Sequence, residues 1–217
     1  MKKELIIFDL DGTLADSAPT LANALNKALK SVNMEPFDQE SIRNWIGRGA
    51  SVLVKRAIAG KKEYQEKDID ENLFKKLLER FLCEYERILT EGTTLFEGVE
   101  EGLQRLKEMG LSMAVATNKP VNFVAPVLNS LKIDHYFFHV VGAEESLRKK
   151  PQPDMLLKII KLSGISPEKS LMVGDTLSDM EAAARAKVDF VAVSYGYEKP
   201  QTEAKIDSIV EIAEILK

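Results

Sequence analysis

A chain of 217 residues, 45% apolar and 29% charged, has the make-up of an ordinary folded protein of one or two domains, not a disordered one. The net charge of −4 offers no basic stripe for nucleic acid, no apolar run has the length of a membrane span, and Cys83 is the only cysteine. A lone cysteine excludes an intrachain disulfide and a cysteine-built zinc site. The N-terminus leads straight into a strand, and Asp9 and Asp11 interrupt the apolar run that a leader peptide would need, so the expected compartment is the cytoplasm.

Residues 5–10 read as a fully buried strand, too short for a helix of that apolarity. It delivers Asp9 and Asp11, two residues apart and so on one side of an extended chain, into a turn at Gly12. Ser17-Ala18-Pro19 starts a helix continued by Leu21, Leu25, Ala28, Leu29 and Val32. Asp38 caps a second helix holding Ile42, Trp45 and Ile46, which Gly47-Arg48-Gly49 breaks. A third helix runs from Ser51 to Ala59. A charged stretch over 61–70 reads as loop or a solvated helix start. A long amphipathic helix spans 71–90, with Cys83 expected in its core and Trp45 packed nearby. No β signal is seen over 15–91, which reads as an all-helical unit inserted after the first strand.

Beyond Gly92 the pattern alternates. A helix through Val99, Leu103 and Leu106 precedes a strand over 111–116, ending in Thr117-Asn118. A helix over 123–131 leads to a strand over 137–141. Pro153 opens a helix closed near Gly164. A strand over 170–173 runs into Gly174-Asp175-Thr176. A helix over 178–186, a strand over 190–193 and a tail helix over 206–216 complete the chain. Alternation of this kind predicts an α/β fold, a doubly wound parallel sheet, formed by residues 1–14 and 92–217 with 15–91 as a separate helical domain. His135 and His139 fall in a turn entering a strand and are not expected to share a metal.

In a parallel sheet the C-terminal strand ends lie along one edge, where α/β proteins place their ligands. Asp9, Asp11, Thr117, Asn118, Asp175 and Asp179 therefore converge. Each feature alone is also compatible with a turn or a helix cap, and Lys150-Pro151 with a solvated loop. Together they make an oxygen-rich site of the kind that suits magnesium.

Asp9-Leu10-Asp11-Gly12-Thr13, Thr117-Asn118, Lys150-Pro151 and Gly174-Asp175-Thr176 with Asp179 resemble the four ordered motifs of the haloacid dehalogenase superfamily, and the insert resembles its C1-type cap. Trp45-Ile46-Gly47, Thr117-Asn118-Lys119-Pro120, Lys149-Lys150-Pro151 and Tyr195-Gly196-Tyr197 are similar to the bacterial phosphoglycolate phosphatases within it. The resemblance implies Asp9 as nucleophile and Asp11 as general acid and base. It implies Mg2+ held by Asp9, Asp11 (through its carbonyl) and Asp175. Thr117, Asn118 and Lys150 would hold the phosphoryl group, with Thr13 and Asp179 in support. The implied partner is a small phosphorylated metabolite, 2-phosphoglycolate first, then a sugar phosphate, nucleotide or pyrophosphate, with a phosphomutase as a further alternative. Neither nucleic acid nor membrane is expected, and a monomer or weak dimer is. Gly47, Arg48 and Gly49 form the candidate cap loop. Arg48 stands where that family often has asparagine, and a guanidinium fork there could pair with a carboxylate.

Overall fold

A computed structural model describes residues 2–216. Strand β1 (Leu5–Phe8) is followed by a two-residue strand, β2 (Ala15–Asp16). Four helices come next: α1 (Ala18–Ser31), α2 (Gln39–Arg43), α3 (Ala50–Ala59) and α4 (Glu71–Ile88). After β3 (Thr94–Leu95) come α5 (Val99–Glu108), β4 (Ser112–Pro120), α6 (Val121–Ser130), β5 (His139–Ala143), α7 (Asp154–Ser163) and β6 (Ser170–Gly174). The chain ends through α8 (Leu177–Ala186), β7 (Asp189–Val193), β8 (Lys205–Ile206) and α9 (Val210–Ile215). The main sheet has six strands in the order β5-β4-β1-β6-β7-β8, every pair parallel. No described helix is long and apolar enough to cross a membrane.

The central strand explains why its sequence is continuously apolar. Ile6 and Phe8 face one layer, with residues of α5, α6 and α9. Leu5 and Ile7 face the other, with Met155, Leu156 and Ile159 of α7 and Ala182, Ala183 and Ala186 of α8. A strand covered on both faces loses the apolar–polar alternation of a half-exposed one.

Several expectations need correction. The root of the insert is not purely helical: β2 pairs antiparallel with β3, Ala15 opposite Leu95 and Asp16 opposite Thr94. Two residues are too few to show periodicity, and the pairing partner is remote in sequence. The first strand leaves the sheet ladder after Phe8, freeing residues 9–11 for the edge. The strand expected over 137–141 lies at 139–143, behind a 3-10 turn at Asp134–Tyr136. Ile206 does not begin a helix, because Lys205 and Ile206 pair with Ala192 and Val193 at the sheet edge. Cys83 is exposed, not core. The buried stripe of α4 is Leu77, Phe81, Tyr85 and Ile88, and Cys83 lies two residues from Phe81, on the opposite side of the helix.

Candidate active site

Three adjacent strands deliver the polar groups. β1 ends at Phe8, and Asp9 N–H still donates to the Val173 carbonyl at 2.9 Å, so Asp9 stands at the strand end. β4 runs long enough to carry Thr117, Asn118 and Lys119 as buried extended residues. β6 leads into Asp175, and Thr176 caps α8. The Thr176 hydroxyl accepts from Asp179 N–H, and Asp179 Oδ2 accepts from Thr176 N–H at 3.0 Å. That reciprocal cap leaves Asp179 Oδ1 aimed into the site.

Asp9, Asp175 and Asp179 are all buried, and one carboxylate oxygen from each lies within 4.8 Å of the others. Lys150 Nζ is 2.9 Å from Asp9 Oδ1 and 2.5 Å from Asp179 Oδ1, and it donates to the Ala116 carbonyl at 2.7 Å. Asp175 has neutral donors at hand: Thr13 Oγ1 at 3.0 Å and Tyr197 N–H at 2.8 Å. One ammonium against three buried carboxylates leaves negative charge uncompensated. Burial, reinforced by Asp179 and Asp11, pushes the Asp9 carboxyl up to about 7 despite the pull of Lys150. Burial, with Asp9 and Asp179 opposite, raises Asp175 well above the usual carboxylate range. Burial would lower the Lys150 pKa, but Asp179 and Asp9 outweigh it and hold the ammonium above the ordinary lysine range.

The donor set fits a hard divalent cation. Among the described residues, Asp9 Oδ1 is buried with the Lys150 ammonium, 2.9 Å away, as its one partner and without a well-aligned hydrogen bond. Gly12 and Gly196 leave Asp175 its space: a Cβ on Gly12 would lie 2.3 Å from Asp175 Oδ2, and one on Gly196 would lie 2.1 Å from Asp175 Cβ. Asp11 adds no side-chain oxygen to this cluster. Its carboxylate turns the other way, accepting from Ser17 Oγ at 2.6 Å and from Lys119 Nζ at 2.9 Å.

Above the strand ends lies a cavity of about 490 Å³, counted with the space open to solvent. Asp9, Asp11, Thr117, Asn118 and Lys119 form its polar wall. Leu21, Ile46, Leu53, Phe81 and Leu82 of the insert form its apolar wall. Of the Gly-Arg-Gly loop, Gly47 and Gly49 line the cavity, whereas Arg48 is exposed and does not. The glycines are required by close approach. A Cβ on Gly49, at φ +85°, would meet the Asn118 carbonyl at 2.9 Å, and one on Gly47 would meet Thr176 Cγ2 at 2.8 Å. Asn118 Nδ2 reaches the Gly47 carbonyl at 3.3 Å and the Lys150 carbonyl at 3.0 Å, while its buried Oδ1 has no partner.

Asp9, Asp11, Thr13, Thr117, Asn118, Lys150, Asp175 and Asp179, all expected at the site, meet at this edge. Lys119, Tyr85 and Tyr197 have no individual role in the motif pattern. Lys119 sits directly after Thr117-Asn118, and that adjacency was the available signal. Tyr85 is concealed in the amphipathic stripe of α4, where an aromatic residue reads as core.

A family model for haloacid dehalogenase-like hydrolases matches residues 6–193. A phosphoglycolate phosphatase of Colwellia psychrerythraea is 42% identical over 196 residues, spanning 90% of this chain and 86% of that protein. One of Pseudomonas fluorescens is 44% identical over 193 residues, spanning 89% of this chain and 70% of that protein. The crystal structure of a predicted phosphoglycolate phosphatase from Haemophilus somnus aligns with a TM-score of 0.90 at 34% identity, covering 100% of this chain and 99% of that one.

Proposed function

This chain belongs to the haloacid dehalogenase-like hydrolase family, and from that premise we propose that it hydrolyses a small phosphomonoester, 2-phosphoglycolate, to glycolate and phosphate. The observation that carries the reading is the convergence of Asp9, Asp11, Thr117, Asn118 and Lys150 beneath one small chamber, beside the buried carboxylates Asp175 and Asp179. The relatives named phosphoglycolate phosphatase support the choice of substrate. So does the chamber, whose largely apolar insert wall offers few partners to the hydroxyls of a sugar.

Asp9 and Asp175, through carboxylate oxygens, and Asp11, through its backbone carbonyl, would hold Mg2+. When bound, that ion would supply positive charge that offsets the repulsion between the Asp9 carboxylate and an anionic phosphoryl group. Asp9 attacks phosphorus, and the ester oxygen departs as an aspartyl-phosphate forms. Asp11 gives that oxygen its proton, then takes a proton from the water that hydrolyses the aspartyl-phosphate. Ser17 Oγ, 2.6 Å from Asp11, orients the carboxyl that moves these protons. Thr117, Asn118 and Lys150 hold the phosphoryl oxygens, Lys150 as a compact point charge fixed by Asp179. Thr13 anchors Asp175. Little beyond positioning and charge is required for phosphoryl transfer. Residues 15–91 act as the cap over a core of 1–14 and 92–217, hinged near 14–16 and 91–94, so that ester, water and product pass in turn.

Asp9→Asn tests the reading. With Mg2+ and 2-phosphoglycolate, phosphate release should fall by about a thousandfold or more while the circular dichroism spectrum is unchanged. Appreciable Mg2+-dependent hydrolysis by that variant would remove Asp9 as nucleophile.

A further inference from the structure

One buried cation in the chamber has no part in the chemistry described above. Lys119 is only 4% exposed, yet among the described residues it is the one positively charged side chain on the chamber wall. Its Nζ lies 2.9 and 3.1 Å from the two Asp11 oxygens and bonds the Tyr85 hydroxyl of α4. It also stands 4.9 Å from the centroid of the Tyr85 ring. Ion-paired with the Asp11 carboxylate, the Lys119 ammonium stands beside the apolar insert wall. In such surroundings an opposite charge is attracted far more strongly than in water.

We propose that Lys119, with the Tyr85 hydroxyl, forms the subsite that receives the carboxylate of the substrate and so selects a two-carbon acid phosphate over a neutral-tailed ester. The proposal rests on the 2-phosphoglycolate reading. A carboxylate joined to the ester by a single CH2 stays within a few bonds of phosphorus, so its counter-charge must share the chamber with Asp9. Lys119 does so, and the exposed Arg48 does not. The donors of the Lys119 ammonium now point to Asp11 and Tyr85, and the arriving carboxylate takes over contacts that Asp11 holds. Lys119 belongs to the core and Tyr85 to the insert, so the subsite is complete only when α4 is seated over the strand ends. An ester without the carboxylate leaves Lys119 on Asp11.

The test compares kcat/KM for 2-phosphoglycolate and for 2-hydroxyethyl phosphate, with Mg2+, in the wild-type protein and in Lys119→Met, Lys119→Arg, Tyr85→Phe and Arg48→Ala. The wild-type ratio should favour the acid. Lys119→Met should lower that ratio about thirtyfold, chiefly through KM for the acid, with partial recovery in Lys119→Arg. Tyr85→Phe keeps the ring and should lower the ratio about threefold to tenfold; it carries the test if Lys119→Met does not fold. Arg48→Ala should lower it less than either. A parallel fall for both substrates in Lys119→Met, an unaltered ratio in Tyr85→Phe, or a larger effect of Arg48→Ala overturns the subsite. Equal wild-type kcat/KM for the two esters overturns it while leaving the phosphatase reading intact. If the wild-type protein hydrolyses neither, both fall together.

Discussion

Charge imbalance around Asp9 sets the chemistry of single residues here. Asp9 titrates at about 7 in the folded chain against 3.8 for an ordinary aspartate, chiefly because it is buried. A raised carboxyl pKa means that the native state holds the proton more tightly than the unfolded state does. Its contribution to stability is full below the ordinary pKa and is lost as pH climbs toward the folded value. Asp175 is displaced in the same direction. The metal-free protein should therefore melt about 5–10 °C lower at pH 8 than at pH 5.5. Millimolar Mg2+ should raise the melting temperature more at pH 8 than at pH 5.5, because it binds the ionised carboxylates. Asp9→Asn should flatten the metal-free slope. Calorimetry of dialysed protein across this range decides, and a pH-independent melting temperature contradicts the account. The carboxylates themselves were legible in the sequence through spacing and strand context. That the Asp11 carboxylate turns away from the other three, toward Lys119 and Ser17, was not, because χ angles follow from neighbours that are remote in sequence.

Among the elements, the Gly47–Gly49 loop packs directly against the core at Asn118 and Thr176. Arg56, buried on α3, donates to the Trp45 carbonyl at 2.6 Å and to the Lys62 carbonyl at 2.9 Å, fixing the chain just before that loop. Gly49 then passes so near Asn118 that no Cβ fits, at a φ that an L-residue adopts only with strain. Gly49→Ala should lower kcat/KM at least about tenfold, since an ångström-scale displacement at a positioned site has that effect. The melting temperature should change by only a few degrees, because the core sheet is untouched. Kinetics alongside thermal melts would show this, and undiminished activity would dissociate the loop from the site. The break at residues 47–49 was evident from two glycines flanking one arginine. The burial of Arg56 was not, since an arginine on an amphipathic helix ordinarily reads as solvated.

At the level of the molecule, the loop after β7 ties the core to the root of the insert. Tyr197 Oη accepts from Ser17 N–H at 2.8 Å and Ala18 N–H at 3.1 Å, and donates to Asp16 Oδ1 at 3.0 Å. Arg43 bonds Asp16 at 3.1 Å and stacks 4.8 Å above the Tyr197 ring, and Lys62 pairs with Glu198 at 3.1 Å. Two backbone donors at the start of α1 thus meet one phenol, and Ala18 N–H is shared between it and Asp16 Oδ1 at 3.3 Å. Tyr197→Phe should cost about 1–3 kcal/mol and speed amide exchange over residues 16–18, as read by hydrogen-exchange mass spectrometry. Unchanged exchange there would argue against a tether. From the residue pattern alone came the α/β alternation, the helical insert after the first strand, and the order in which Asp9, Thr117, Lys150 and Asp175 reach one edge. These are local properties, set by apolar period, turn residues and the parallel rule for strand–helix alternation. Tertiary structure decided the β2–β3 ribbon, the pairing of Ile206 at the sheet edge, the exposure of Arg48, and the meeting of Lys119 with Tyr85. Each of those depends on contacts between residues far apart in the chain, and periodicity within a segment carries no information about which distant segment will cover it.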